Sequence, residues 1–194
     1  MMQRNRFFWI QLLLVVFFSS SASAAENELI QQMGAGGVVL MIRHAVAPGI
    51  GDPDNFKLDD CATQRNLDEQ GREQARAIGE WLRARGIENV KLYSSQWCRC
   101  LETARLMNLG TVTSLPSLNS FFQKPEDREP NLSALRNFIR DNTKKGELII
   151  MVTHQVTISG ISEKWTDSGH GKLVRPGPAG GIELIGELDF KGKY

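Results

Sequence analysis

Two short apolar runs dominate the pattern of the chain, and both stop at a histidine. The first is Gly37-Val38-Val39-Leu40-Met41-Ile42-Arg43-His44-Ala45; the second is Glu147-Leu148-Ile149-Ile150-Met151-Val152, followed by Thr153-His154. Runs of this length without polar alternation predict strands buried on both faces of an α/β sheet. Val90 to Tyr93 predicts a third strand. Lys172 to Val174 and Ile182 to Leu188 predict two more, separated by the turn Pro176-Gly177-Pro178.

Helical spacing fills the gaps. Leu67, Ala75, Ile78 and Leu82 share one face with Arg72, Glu73, Arg76, Glu80 and Arg83 mostly opposite, Asp68 is placed to cap the start and Gly86 to stop the end. Ser94-Ser95 is a capping pair for a helix over Gln96 to Met107. Pro130 suits the first turn of a helix that carries Leu132, Leu135, Phe138 and Ile139 inward and ends near Lys144-Lys145-Gly146, and a short helix fits Val156 to Lys164. Turn formers crowd Ala47 to Gln64, a long loop, and Thr111 to Pro130 is irregular. Strands alternating with helices predict an α/β fold of three layers, a mostly parallel central sheet with helices on both faces.

That order places candidate chemistry at one edge. Ligands of open α/β sheets bind beyond the strand carboxyl ends, where Arg43, His44 and His154 fall. Arg99 lands in the first turn of its helix, where a cation opposes the helix dipole unless an anion binds there. His170, in Ser168-Gly169-His170-Gly171, reads as a loop residue.

The N-terminus adds a compartment. Arg4 and Arg6 precede an apolar stretch, Phe7 to Phe18, and Ala22-Ser23-Ala24 follows as a cleavage pattern. This predicts a signal peptide over residues 1–25, export to a bacterial periplasm, and a single domain over residues 26–194. The apolar run is short of the ~20 residues of a spanning helix, so no stable membrane anchor is expected. Without the leader the chain keeps 21 basic against 22 acidic residues, which gives no electrostatic footprint for nucleic acid. Three cysteines allow one disulfide: Cys98 and Cys100 are poorly placed for each other, and Cys61 is free to pair with either. No Cys-x-x-Cys or His-x-x-x-His spacing points to a metal, and no cofactor is expected.

Four blocks in this order resemble the histidine phosphatase superfamily, with its phosphoglycerate-mutase-like fold. Met41-Ile42-Arg43-His44-Ala45 resembles the Arg-His-Gly block, and Leu67-Asp68-Glu69-Gln70-Gly71-Arg72-Glu73-Gln74-Ala75 the Leu-Thr-x-x-Gly-x-x-Gln-Ala helix start. Ser94-Ser95-Gln96-Trp97-Cys98-Arg99-Cys100-Leu101-Glu102-Thr103-Ala104 resembles the Ser-Ser-x-x-x-Arg-x-x-x-Thr-Ala block, and Val152-Thr153-His154 the second histidine. The resemblance implies a metal-independent phosphomonoesterase. His44 is its nucleophile, forming a phosphohistidine that water hydrolyses, and Arg43, Arg99 and His154 clamp the phosphoryl oxygens. Arg65 is open to two uses, extending the basic pocket or, more in keeping with its neighbours, pairing with Asp59-Asp60.

Three departures matter. Ala45 stands where the family has Gly. In Leu118-Asn119-Ser120, Ser120 occupies the position of the carboxylate that protonates the leaving group in many relatives, and Gln155 lacks the acid another branch places after its histidine. Glu126, Asp127 and Glu129 in the next loop are candidate substitutes. Without an acid, aryl phosphates and phosphohistidine are favoured over alkyl phosphates. The exported location makes an envelope sugar phosphate a candidate partner, since some exported relatives act on lipopolysaccharide core heptose phosphates. The alternative function is a periplasmic phospho-ligand binding or sensor protein that kept the clamp and lost turnover.

Overall fold

The computed structural model describes residues 24–190. Most of the expected leader, residues 1–23, lies outside the described residues. Residues 24–35, across its expected end, form a helix (α1) whose Leu29, Ile30 and Met33 pack into the core. Among the described residues no helix is long and apolar enough to cross a membrane.

Six strands form one sheet: β1 (Val38–Arg43), β2 (Lys91–Ser94), β3 (Val112–Ser114), β4 (Leu148–Thr153), β5 (Gly171–Pro176) and β6 (Ile182–Leu188), in the order β3-β2-β4-β1-β5-β6. The four strands from β3 to β1 are parallel to their neighbours, while β5 and β6 run antiparallel. Thus the sheet is parallel where it carries the histidines and antiparallel at its terminal hairpin. The short β3 falls inside the stretch expected to be irregular. Its three residues are partly exposed and too few to show a period.

Alternation along β1 divides the core. Leu40 and Ile42 point to one face, where α2 (Glu69–Arg83) and α3 (Cys98–Met107) contribute Ile78, Leu82 and Met107. Val39 and Met41 point to the other, against Leu132, Leu135 and Ile139 of α4 (Arg128–Asn142) and Ile158 of α5 (Gln155–Ser162). Every one of these side chains is fully buried, as a strand covered on both faces requires.

Local signals place the helix ends. Asp68 accepts a bond from Gly71 N at 2.7 Å, the expected cap of α2. The helix stops at Arg83, with Gly86 in the left-handed conformation just beyond (φ 74°). Gly71 itself is required by packing: a Cβ there would sit 2.0 Å from Val46 O, so the first turn of α2 presses on the chain leaving His44. The expected Ser94-Ser95 cap is corrected. Ser94 ends β2, α3 begins at Cys98, and Ser95 Oγ instead accepts from Trp97 N at 3.3 Å.

Candidate active site

Register brings the two histidines together. β1 and β4 pair in parallel with Arg43 opposite Thr153, so the next residues, His44 and His154, leave the sheet side by side. His44 N extends the ladder by donating to Thr153 O at 2.9 Å, and the rings meet edge to face with centroids 5.5 Å apart. Thr103 ties this strand end to α3. Its hydroxyl accepts from Ala45 N at 3.1 Å and donates to Arg99 O at 2.7 Å. Arg43, His44, Arg99 and His154 line one cleft of about 330 Å³.

His44 is held in one tautomer. Its Nδ1 lies 2.8 Å from Ala45 O, and a carbonyl can only accept, so Nδ1 carries the proton and Nε2 keeps a free lone pair. Burial, and then the charges of Arg99, Arg43 and Arg65, hold its pKa well below the ordinary 6.5. The ring is therefore neutral at neutral pH. His154 is shifted the same way, by burial first and Arg99 next. Arg99 Nη2 donates to its Nδ1 at 3.4 Å, which puts the proton on Nε2, 2.9 Å from Ser95 Oγ.

Asp52, absent from the sequence-based site, is built into it. From the loop after β1, its carboxylate takes Arg99 as a fork, Nη1 to Oδ1 at 2.7 Å and Nη2 to Oδ2 at 3.2 Å, with both side chains about 97 % buried (3 % and 4 % exposed). Trp97 Nε1 donates to Oδ2 at 2.9 Å and Arg65 N to Oδ1 at 3.0 Å. Burial pushes the Asp52 carboxyl up, but these bonds and the Arg99 charge outweigh it and hold the pKa below its usual value. Asp52 is an acceptor and gives no proton to a leaving group. Nothing in its sequence context, Gly51-Asp52-Pro53, distinguishes it from a turn former.

Arg65 corrects an expectation. Instead of pairing with Asp59-Asp60 it lines the cleft, donating Nε to Gly51 O at 2.8 Å and Nη1 to Ala47 O. Burial among other guanidiniums lowers its pKa to about 10. Asp60 is used locally, accepting from Ala62 N at 3.0 Å. Three guanidiniums thus share a cleft whose wall has one carboxylate among the described residues, Asp52. Arg43 Nε and Arg99 Nε are buried without a hydrogen-bond partner among the described residues, a deficit that a bound oxyanion would remove.

The leaving-group side is different. Ser120 lines the cleft where a carboxylate was sought, and Glu126, Asp127 and Glu129 stand exposed on a 3-10 turn and the first turn of α4, outside its wall. The cysteine choice is settled: Cys61 bonds Cys98, fastening the long loop to the start of α3 beside Arg99, while Cys100 is a buried free thiol with its pKa raised by burial to about 12. His170 precedes β5, where its carbonyl accepts from Arg43 N at 3.0 Å and its Nε2 lies 3.1 Å from Asp189. Among the described residues no group of three or more His, Cys, Asp or Glu is arranged to hold a metal ion.

Residues 39–120 match the model of the histidine phosphatase superfamily (branch 1). The matched stretch runs from β1 to Ser120 and so takes in Arg43, His44 and Arg99, while His154 lies beyond it. Solved structures of similar fold include the protein histidine phosphatase SixA complexed with tungstate (15 % identity, 79 % of this chain and 97 % of that one, TM-score 0.54). Phosphoserine phosphatase of Entamoeba histolytica in complex with 3-phosphoglyceric acid matches at 14 % identity over 81 % of this chain and 99 % of that one (TM-score 0.58). The alpha-ribazole phosphatase of Shigella flexneri matches at 16 % identity over 79 % and 96 % (TM-score 0.51). None of the curated proteins matches the chain. What these likenesses show is the fold, an α/β one of phosphoglycerate-mutase-like type.

Proposed function

We propose that this phosphatase is an exported, metal-independent phosphomonoesterase that works through a phosphohistidine on His44. The observation that carries the reading is the neutral His44 ring, proton fixed on Nδ1 by Ala45 O and Nε2 free, set among three guanidiniums. Nε2 attacks phosphorus in line, the P–N bond forms, and the bond to the ester oxygen breaks. Arg43 and Arg99 take up charge on the equatorial oxygens, an interaction worth about 3 kcal/mol per donor by analogy with oxyanion holes. His154 completes the clamp once the bound dianion draws a proton onto it. Water then attacks phosphorus, the P–N bond breaks, and the ring returns to its neutral form as phosphate leaves.

With no carboxylic acid at the leaving-group side among the described residues, the departing oxygen takes its proton from solvent, which favours good leaving groups. The leader-like pattern of residues 1–25 supports a periplasmic location, where an envelope phosphate monoester such as a sugar phosphate is in reach. The same missing acid is the one observation in favour of a phospho-ligand binding protein. Phenyl phosphate decides between them: turnover that resists EDTA and is lost in His44→Ala supports the enzyme. Tight phosphate binding without turnover supports the binding protein.

A further inference from the structure

The cleft has a second lining that the phosphoryl clamp does not use. The large hydrophobic side chains that stand exposed among the described residues are Ile50 (91 %), Phe122 (54 %) and Trp165 (66 %), and all three line this same cleft. They come from three separate loops, after β1, after β3 and after α5. Scattered surface hydrophobics are ordinary, but three that converge on one opening from distant parts of the chain form a patch with a use.

The rim is built rather than loose. Asp52 N donates to Gln123 Oε1 at 2.9 Å and Gln123 Nε2 donates to Asp52 O at 3.1 Å, which clips the Ile50 loop to the Phe122 loop. The Arg43 guanidinium lies 6.0 Å from the centre of the Trp165 ring, so the clamp continues directly into the apolar wall. At ~30 Å³ per water, the cleft volume of about 330 Å³ holds about ten waters. A phosphoryl group leaves much of it unfilled.

We infer that the substrate is a phosphate monoester whose leaving group carries an apolar, ring-sized body, covered by Ile50, Phe122 and Trp165 while the phosphate sits among the arginines. This rests on the phosphatase reading above and narrows it away from bare sugar phosphates. Among the described residues of the wall the carboxylate is Asp52, committed to Arg99, and the amides of Gln123 and Gln155 are engaged with Asp52 and Ser159, so little is left to recognise an amine or a chain of hydroxyls.

The test separates body from reactivity. Benzyl, ethyl and glycerol 3-phosphate all release a primary alkoxide, so a difference among them reports contact with the rest of the molecule. Wild-type protein is expected to show kcat/KM at least about tenfold higher for benzyl phosphate, mostly through KM. Tenfold needs only ~55 Å² of apolar surface covered, at about 25 cal/mol per Å². In Phe122→Ser/Trp165→Ser the preference falls to within about twofold. Equal wild-type rates, a preference for glycerol 3-phosphate, or a preference that survives the double substitution overturns the inference. Rim-dependent binding to phosphatidylcholine vesicles without a benzyl preference also overturns it, and assigns the rim to a bilayer. Should neither these esters nor phenyl phosphate be turned over, the phosphatase reading fails by itself. Calorimetry with benzylphosphonate against ethylphosphonate then decides the rim: a tenfold tighter benzyl compound sustains it and equal affinities remove it.

Discussion

Asp52→Asn tests the electrostatic core of the site at nearly constant shape. The carboxylate accepts four hydrogen bonds, two from Arg99 and one each from Trp97 and Arg65 N. An amide has one oxygen, so whichever way it turns, its NH2 faces two groups that can only donate. Arg99 then keeps its charge, 97 % buried, with half its fork opposed. Breaking a buried pair costs about 3–5 kcal/mol, and the cleft beside Asp52 admits water, so the low end, about 3 kcal/mol, applies. For a domain of this size that is a fall in Tm of roughly 6–12 °C. Misaiming one clamp guanidinium by the same energy lowers kcat/KM about 100-fold. Inorganic phosphate offers the stranded guanidiniums a replacement anion and should raise the Tm of the variant more than that of wild type. Differential scanning calorimetry with and without phosphate, alongside phenyl phosphate kinetics, makes the measurement. A variant within 1 °C and twofold of wild type would refute the claim that Asp52 holds Arg99.

Three further outcomes are expected. Reducing Cys61–Cys98 opens a loop with a sequence separation of 37 and should cost about 4 kcal/mol on the chain-entropy model, read as a lower urea midpoint with dithiothreitol. Gly71→Ala improves helix propensity yet should destabilise the protein by at least about 2 kcal/mol, because its Cβ meets Val46 O; a stabilised variant in thermal melts would contradict the packing. Burial and the neighbouring arginines keep His44 and His154 uncharged below the ordinary 6.5, where the unfolded chain takes up protons. Stability should therefore rise with pH up to about 6.5 and level off above it, with a slope of up to about 1.4 kcal/mol per pH unit for each histidine, measured as urea midpoints at pH 5 to 8.

The parts of this protein that could be read from its sequence are those whose signal is local. Val38 to Ile42 and Leu148 to Val152 are apolar without alternation because both sheet faces are covered, and that pattern exposes their ends, Arg43-His44 and Thr153-His154, as neighbours in a parallel sheet. Asp68 caps α2 through a residue three positions on, within reach of a sequence pattern. Asp52 was illegible for the opposite reason: its partners Arg99 and Trp97 lie more than forty positions away, and a Gly-Asp-Pro context explains the residue without them. Arg65 has acids close in sequence, yet it folds toward backbone carbonyls 14 and 18 positions back, a choice made by the tertiary path of the loop. The cysteine pairing depended on that same path. Ile50, Phe122 and Trp165 each look like stray surface hydrophobics until the fold gathers them at one opening.

The central claim is that His44 Nε2 takes the phosphoryl group. Protein mixed with phenyl phosphate, quenched with alkali within milliseconds and digested for mass spectrometry, should yield an acid-labile, alkali-stable phosphate on the peptide containing His44. The same label should be absent from His44→Ala and should decay as free phosphate accumulates. Turnover without a phosphohistidine, or a phosphate carried on any other residue, would contradict the account.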